Sequence, residues 1–213
     1  MLKNIKLIIF DLDGTIVDAY DAIIDSFNYT MKKLDLSPID PLTIRRAVGW
    51  GDARLLSPFL NRKIVKKALK IYRPHHKVSL RKKSQLIPGA RNILKYLKKK
   101  GYKLAVASNR PSAFSKILIR HLKIDKFFDF VLCADQIKKG KPNPEIINKI
   151  MKLFSVSPQQ TAYVGDMIVD VEAAKAAKVK SIAVLTDSSS RKEIESKKPN
   201  YIFKNITYIK KIL

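Results

Sequence analysis

The stretch Ile8–Asp18, IIFDLDGTIVD, limits what this chain can fold into more than any other segment. An apolar run, IKLIIF, leads without a break into two carboxylates, Asp11 and Asp13, followed at once by Gly14 and Thr15. A continuous Ile-rich run of this kind is the pattern of a strand buried on both faces, as in a parallel sheet covered by helices. Acids at its end bring charge to the rim of a buried sheet, which is unfavourable unless a cation meets them there.

The pattern recurs along the chain. YKLAVAS near residue 105, FFDFVLC near 130, TAYVG near 163 and KSIAVL near 183 read as further buried strands. Helical periodicity fills the gaps, in GARNILKYLKKK, SAFSKILIRHL, PEIINKIMKLF and IVDVEAAKAAK. Strands and helices that alternate over short links predict a doubly wound α/β fold with a parallel sheet. Residues 18–86 break the alternation with helical segments punctuated by Pro38, Pro41, Pro58 and Pro74, and contain no convincing buried strand. The expected organisation is a core of residues 1–17 and 87–213, with an all-helical domain of residues 18–86 inserted after the first strand. His75 and His76, next to Pro74, are expected to lie exposed in a polar turn.

Composition adds limits. A chain of 213 residues can build one substantial core and a smaller accessory domain. Nothing approaches the roughly 20 apolar residues that span a bilayer, and the N-terminal apolar run is too short for a signal peptide, so a cytoplasmic protein with no membrane partner is expected. The single cysteine, Cys133, has no partner for an internal disulfide and reads as a small buried hydrophobe. The net charge of +25 is regional: residues 53–124 hold 21 Lys and Arg and no acid, while the other 22 basic residues against 18 acidic ones leave only +4. Two readings stand, a solvated lysine-rich surface and a nucleic-acid or other polyanion-binding face. The first is favoured because the region lacks interleaved aromatics and groove-reading motifs. Either way the field draws in small anions.

The predicted strand ends carry an uncommon set of groups: Asp11 and Asp13, then Ser108 and Asn109, then Asp166 with Asp170, joined by Lys139 and Lys141 in the loop KKGKPNPE. In an open α/β sheet these rims converge where strand order reverses. Carboxylates gathered without His or Cys form a hard oxygen site suited to Mg²⁺. A lysine and a hydroxyl beside it can hold phosphoryl oxygens, one carboxylate can attack phosphorus, and another can move the proton of the leaving oxygen.

DLDGT at 11–15, ASNR at 107–110, GKPNPE at 140–145 and VGDMIVD at 164–170 resemble, in order, the four motifs of the haloacid dehalogenase superfamily. The segment from Pro88 to about Asp187 is most similar to the phosphoglycolate phosphatase and β-phosphoglucomutase branch, and VGWGDARLL resembles a specificity loop of its helical cap. The resemblance implies Asp11 as the nucleophile, Asp13 as the general acid and base, Ser108 as a phosphoryl-binding hydroxyl and Lys141 as the motif lysine, with Lys139 as the runner-up. It implies Mg²⁺ held by Asp11, the Asp13 carbonyl and Asp166, with Asp170 either a ligand through water or a supporting acid. Substrate contacts are expected from Thr15, which also supports the loop, and from Asn109, Arg110, Trp50 and Arg54. Trp50 and Arg54 have competing readings as a buried cap residue and a solvated cation.

An acid at Asp13 points to phosphate esters rather than to dehalogenation, since an alkoxide leaving group needs a proton. The expected activity is Mg²⁺-dependent hydrolysis of a small anionic phosphomonoester, phosphoglycolate-like or sugar-phosphate-like; phosphotransfer of the phosphoglucomutase type and polyanion binding are the alternatives. The oligomeric state, monomer or dimer, is left open. Two residues depart from the family pattern: Met167 stands where a small polar residue often follows the metal-binding Asp, and Lys178 where a Gly commonly ends the helix.

Overall fold

The computed structural model describes residues 2–186 and 188–213. Met1 and Asp187, the latter at the far end of the segment of strongest family resemblance, lie outside the described residues. Six strands form one sheet: β1 (Leu7–Phe10), β4 (Lys103–Ser108), β5 (Phe130–Cys133), β6 (Thr161–Gly165), β7 (Lys180–Val184) and β8 (Tyr201–Phe203). Their order is β5-β4-β1-β6-β7-β8, and every neighbouring pair is parallel. Strand order therefore reverses at β1, between β4 and β6, where an open α/β sheet places its ligands.

Alternation along β1 divides the core. Ile8 and Phe10 join Leu104, Val106 and Val164 on one face, covered by α5 (Ala90–Lys99) and α6 (Ser112–His121). Leu7 and Ile9 join Ala105, Ala107 and Tyr163 on the other, covered by α7 (Glu145–Phe154) and α8 (Ile168–Ala176). Every residue of β1 is fully buried, so both faces demand apolar side chains. A last helix, α9 (Arg191–Ser196), places Ile194 against Val171 and Ala183. The chain is thus the doubly wound α/β fold expected from its sequence.

Four helices, α1 (Tyr20–Lys33), α2 (Pro41–Ala47), α3 (Asp52–Leu56) and α4 (Arg62–Lys83), form the cap with a core of their own, in which Phe27, Met31, Ile44, Leu56 and Tyr72 are buried. Two short strands, β2 (Val17–Asp18) and β3 (Gln85–Leu86), pair antiparallel where the chain enters and leaves this layer. They were not anticipated, because two residues are too few to show a period. Of the 21 basic residues in 53–124, Lys98 is half-buried and Arg110 is buried, and the others are exposed.

The sequence reading fails at Pro74. Helix α4 runs through it, and His75 and His76 are helical residues rather than members of a turn, with His76 only 1% exposed. Ala68, Tyr72, His76, Ser79 and Leu80 form one buried stripe spanning both sides of the proline. Packing of that stripe outweighs the roughly 3 kcal/mol that proline costs within a helix. Another exception is Lys178, which takes the left-handed conformation (φ 59°) that a glycine would adopt more easily after α8. Because Pro74 is exposed, Pro74→Ala should stabilise the protein by about 1–3 kcal/mol. A higher thermal unfolding midpoint is the expected observation, and an unchanged or lower one contradicts this account of α4.

Candidate active site

Asp11 follows β1 directly, and its N–H bonds to the Val164 carbonyl of β6 (2.8 Å), which holds it at the point of strand reversal. The chain then turns sharply at Gly14, whose φ of 75° is left-handed. A Cβ there would run into the Asp166 carboxylate and the Ser188 hydroxyl, so only glycine lets the loop lie against the end of β6. Thr15, fully buried, donates its hydroxyl to Asp166 Oδ1 (2.8 Å). Thr186 donates to Oδ2 of the same carboxylate (3.2 Å).

The carboxylates of Asp11, Asp166 and Asp170 offer ligand atoms within 4.8 Å of one another, and all three residues are buried. Lys141 sits among them. Its ammonium donates to Asp11 Oδ1 (2.5 Å), Asp170 Oδ1 (2.7 Å) and the Tyr163 hydroxyl (2.9 Å). The other oxygen of Asp170 accepts the Met167 N–H (3.0 Å), which fixes the start of α8. Gly165 permits this: a Cβ there would collide with the Asp170 side chain. Lys139 is exposed and engages Glu145 through its backbone N–H (3.0 Å), so of the two lysines Lys141 is the one in the site.

Electrostatics follow from this packing. Burial raises the pKa of Asp166 to about 7, with the neighbouring Asp170 charge adding to the shift. Burial also holds Asp11 well above the usual carboxylate value; Lys141 opposes that rise, while Asp170 and Asp166 reinforce it. For Lys141, burial acts to lower the pKa, but the charges of Asp11 and Asp170 outweigh it and the ammonium is held firmly protonated. Four buried or nearly buried carboxylates, counting Asp13, face two cations, Lys141 and Arg110. Burial, and then the repulsion between neighbouring carboxylates, raises the Asp11 and Asp166 pKa values, so the cluster favours a bound cation.

Above this floor the cap encloses a cavity of about 50 Å³, enough for a few water molecules. Ile23, Val48, Leu55 and Tyr72 supply its apolar wall, and Asp13, Ser108, Arg110 and Lys141 its polar one. The Asn109 side chain binds backbone on both sides of the gap, accepting from Lys141 N–H (2.8 Å) and donating to the Lys141 and Gly49 carbonyls (3.0 and 2.8 Å). Gly49 itself approaches Met167 so closely that a Cβ would meet Sδ. Met167 thus serves as one apolar contact between core and cap.

The expected substrate contacts are placed unevenly around the cavity. Trp50 is 36% exposed with the Arg54 guanidinium 5.9 Å from its ring centre, and neither lines the cavity. The short α3 turns the apolar Leu55 inward instead, which leaves Trp50 and Arg54 toward solvent. Thr15 lies below the cavity and orients Asp166 rather than facing a substrate. Ser108 lines the cavity, and its Oγ accepts the Arg110 N–H (3.2 Å). Arg110 forms a two-pronged pair with Asp13, Nε to Oδ2 and Nη2 to Oδ1, both at 2.7 Å. Sequence reasoning missed Tyr163, Thr186, Tyr20 and His76. Tyr163 had a detectable signal, as a hydroxyl in a fully buried strand needs a partner. Tyr20, whose hydroxyl lies 2.5 Å from Ser188 Oγ across the two layers, had none.

Comparison with known proteins places this geometry. The family model of haloacid dehalogenase-like hydrolases matches residues 8–184. A phosphoglycolate phosphatase of Aquifex aeolicus is 31% identical over 180 residues, covering 84% of each chain. One of Pseudomonas fluorescens is 30% identical over 210 residues, covering 94% of this chain and 77% of that one. Among solved structures, a predicted phosphoglycolate phosphatase from Haemophilus somnus superposes with a TM-score of 0.93 at 26% identity, covering 100% of this chain and 99% of the other. A predicted phosphatase from Clostridium acetobutylicum gives a TM-score of 0.87 at 26% identity, with 98% of each chain covered. With that match across most of its length and three acids gathered at the strand reversal, the chain belongs to the haloacid dehalogenase-like hydrolases.

Proposed function

We propose that the protein is a Mg²⁺-dependent phosphatase that hydrolyses a small phosphomonoester, phosphoglycolate-like or sugar-phosphate-like, through an aspartyl-phosphate on Asp11. The observation that carries this reading is the buried cluster of Asp11, Asp166 and Asp170, whose carboxylate oxygens lie within 4.8 Å of one another beside Lys141 and the Arg110–Asp13 pair. The donor set fits a divalent metal, since clustered carboxylates without nitrogen or sulfur ligands favour a hard cation. Asp11 and Asp166 would hold it together with the Asp13 carbonyl, and Asp170 would support it. When bound, Mg²⁺ supplies charge neutralisation for the phosphoryl oxygens. The curated relatives named phosphoglycolate phosphatase support the same reaction class.

The residues divide the work. Lys141 occupies Asp11 Oδ1, which leaves Oδ2 as the attacking oxygen. As the bond from Oδ2 to phosphorus forms, the bond from phosphorus to the ester oxygen breaks, and Asp13, freed from its pair with Arg110, relays a proton taken from water to that oxygen. In the second half Asp13, now a carboxylate, takes a proton from water. The water oxygen attacks phosphorus, the Asp11 bond to phosphorus breaks, and inorganic phosphate leaves. Ser108 Oγ holds a phosphoryl oxygen, while the Lys141 ammonium holds Asp11 in place and offsets the charge of the phosphoryl group beside it. Movement of the cap, residues 18–86, would admit the ester and then exclude bulk water from the cavity between core and cap.

Two outcomes are expected. Purified protein should release phosphate from an aryl phosphate with Mg²⁺ and not with EDTA, and Asp11→Asn should retain at most about a thousandth of that rate. Absence of turnover by folded, metal-replete protein contradicts the reading. Metal affinity should also depend on pH. Asp166 keeps its proton up to about pH 7 in the metal-free fold, against an ordinary value of 3.8, and must lose it to bind the ion. The folded apo form therefore holds an extra proton between about pH 4 and pH 7, and Mg²⁺ competes with it. The rise in melting temperature caused by Mg²⁺ should grow from about pH 5 to about pH 8 and vanish in Asp166→Asn.

A further inference from the structure

The basic excess is concentrated on one side of the molecule. Helices α4, α5 and α6 together carry 16 Lys and Arg and no Asp or Glu, whereas α7, α8 and α9 carry five basic and five acidic residues. A lysine-rich habit of the whole surface would load both sides alike. The three basic helices are also continuous in space. Leu80 of α4 shares an apolar cluster with Phe114 and Leu118 of α6, and Arg91 of α5 donates to the Leu122 and Lys123 carbonyls just beyond α6 (2.6 and 2.9 Å).

Along α4, Arg62, Lys66, Lys70, Arg73, Lys77 and Arg81 recur at intervals of three or four residues, so they stand one above another in a single exposed stripe. Like charges at that spacing repel one another and weaken a helix. Elsewhere the chain pairs such positions with acids, Lys149 with Glu145 and Arg191 with Glu195. Within the stripe, and among the described residues, Arg73 alone has a carboxylate partner, Asp52.

Aromatic rings join this side from a distant part of the sequence. The C-terminal turn, Ile206–Lys211, packs beside α5, where Tyr96 lies between Lys100 and Lys210, whose ammonium groups are 5.8 and 5.0 Å from its ring centre. Tyr208 is 37% exposed, with the Lys211 ammonium 4.5 Å from its ring centre. Its ring lies nearly parallel to that of Phe203 on edge strand β8, centres 6.3 Å apart and planes 17° apart. Phe203 and Tyr208 stand far outside residues 53–124, so the fold sets them beside the lysines of α5.

Dense exposed cations take phosphates, and open flat rings take bases. A duplex presents phosphates but keeps its base faces stacked inside, and an anionic bilayer has no bases; a single strand presents both. We propose that the face formed by α4, α6, α5 and the C-terminal turn binds single-stranded nucleic acid without regard to sequence, its cations following the phosphates and Tyr208 stacking on a base. None of these exposed residues lines the cavity between core and cap, so the inference stands independently of the phosphatase reading.

The test is fluorescence anisotropy of a labelled oligouridine of about 20 nucleotides titrated with the full chain. Wild type should bind it, and raising KCl from about 50 to about 200 mM should weaken binding by about 100-fold or more. Lys66→Glu combined with Lys70→Glu should weaken it by at least about tenfold. Lys152→Glu combined with Lys192→Glu, the same change of charge on α7 and α9, should weaken it by less than about threefold. Tyr208→Ala and Tyr208→Leu should each weaken it by about fivefold or more. All of these side chains are exposed, and circular dichroism melts check that each variant is folded. Absence of binding by folded wild type at about 50 mM KCl overturns the inference. Equal losses in the two charge-reversed pairs also overturn it, because net charge rather than this face is then responsible. So do Tyr208 variants that bind like wild type, polyphosphate of equal phosphate number that competes as well as unlabelled oligouridine, or tighter binding to phosphatidylserine vesicles than to the strand.

Discussion

The ammonium of Lys141 is the interaction on which the rest of the site depends. It reaches from the loop before α7 to Asp11 beyond β1, to Tyr163 within β6 and to Asp170 at the start of α8. Without it three buried carboxylates would face one another across less than 5 Å. Removing one member of such a buried set costs about 3–5 kcal/mol, because the partners are left charged and dry. The set is not an efficient way to stabilise a fold, since apolar side chains of similar volume would do as well. Its value lies in preorganised charge: the dipoles and ions are already in place when a phosphoryl group arrives, so little reorganisation accompanies reaction.

The same logic governs the contact between core and cap. The cap has an apolar core of its own, in which Phe27, Leu56 and Tyr72 are buried. Between the layers, Ala22 and Leu80 join the apolar cluster that holds Phe114, and polar bonds run from Asn109 to Gly49, Arg110 to His76, Tyr20 to Ser188, and Arg45 to the Thr186 carbonyl. Polar contacts can exchange with water, so such a seam can open at modest cost and still close in one register. Met167 against Gly49 supplies close packing at the centre of the seam.

Much of this was legible in the sequence because local rules were strong. Five of the six sheet strands announced themselves by continuous apolar runs, and the acids of the site by their place at strand ends; β8, three half-buried residues at the sheet edge, is too short to show such a run. The failures share one cause. At Pro74 a local rule for breaking helices lost to a buried stripe along α4 that the rule does not see. At His76 polarity suggested solvent, whereas a single arginine from the core made burial of the neutral ring favourable. Trp50 and Arg54 had readings as substrate contacts and, in turn, as a buried cap residue and a solvated cation; both lie toward solvent, outside the cavity lining.

By itself, the sequence determined the alternation of strands and helices, the chemical types available at the rim and the insertion of a helical layer, since each depends on residues near one another in the chain. Tertiary structure alone decided which acids share Lys141, which cation holds Asp13 and which cap residues face inward. Those pairings join positions as distant as Thr15 and Asp166, and the partner of a buried charge is set by where packing brings the chain back, which no local pattern encodes.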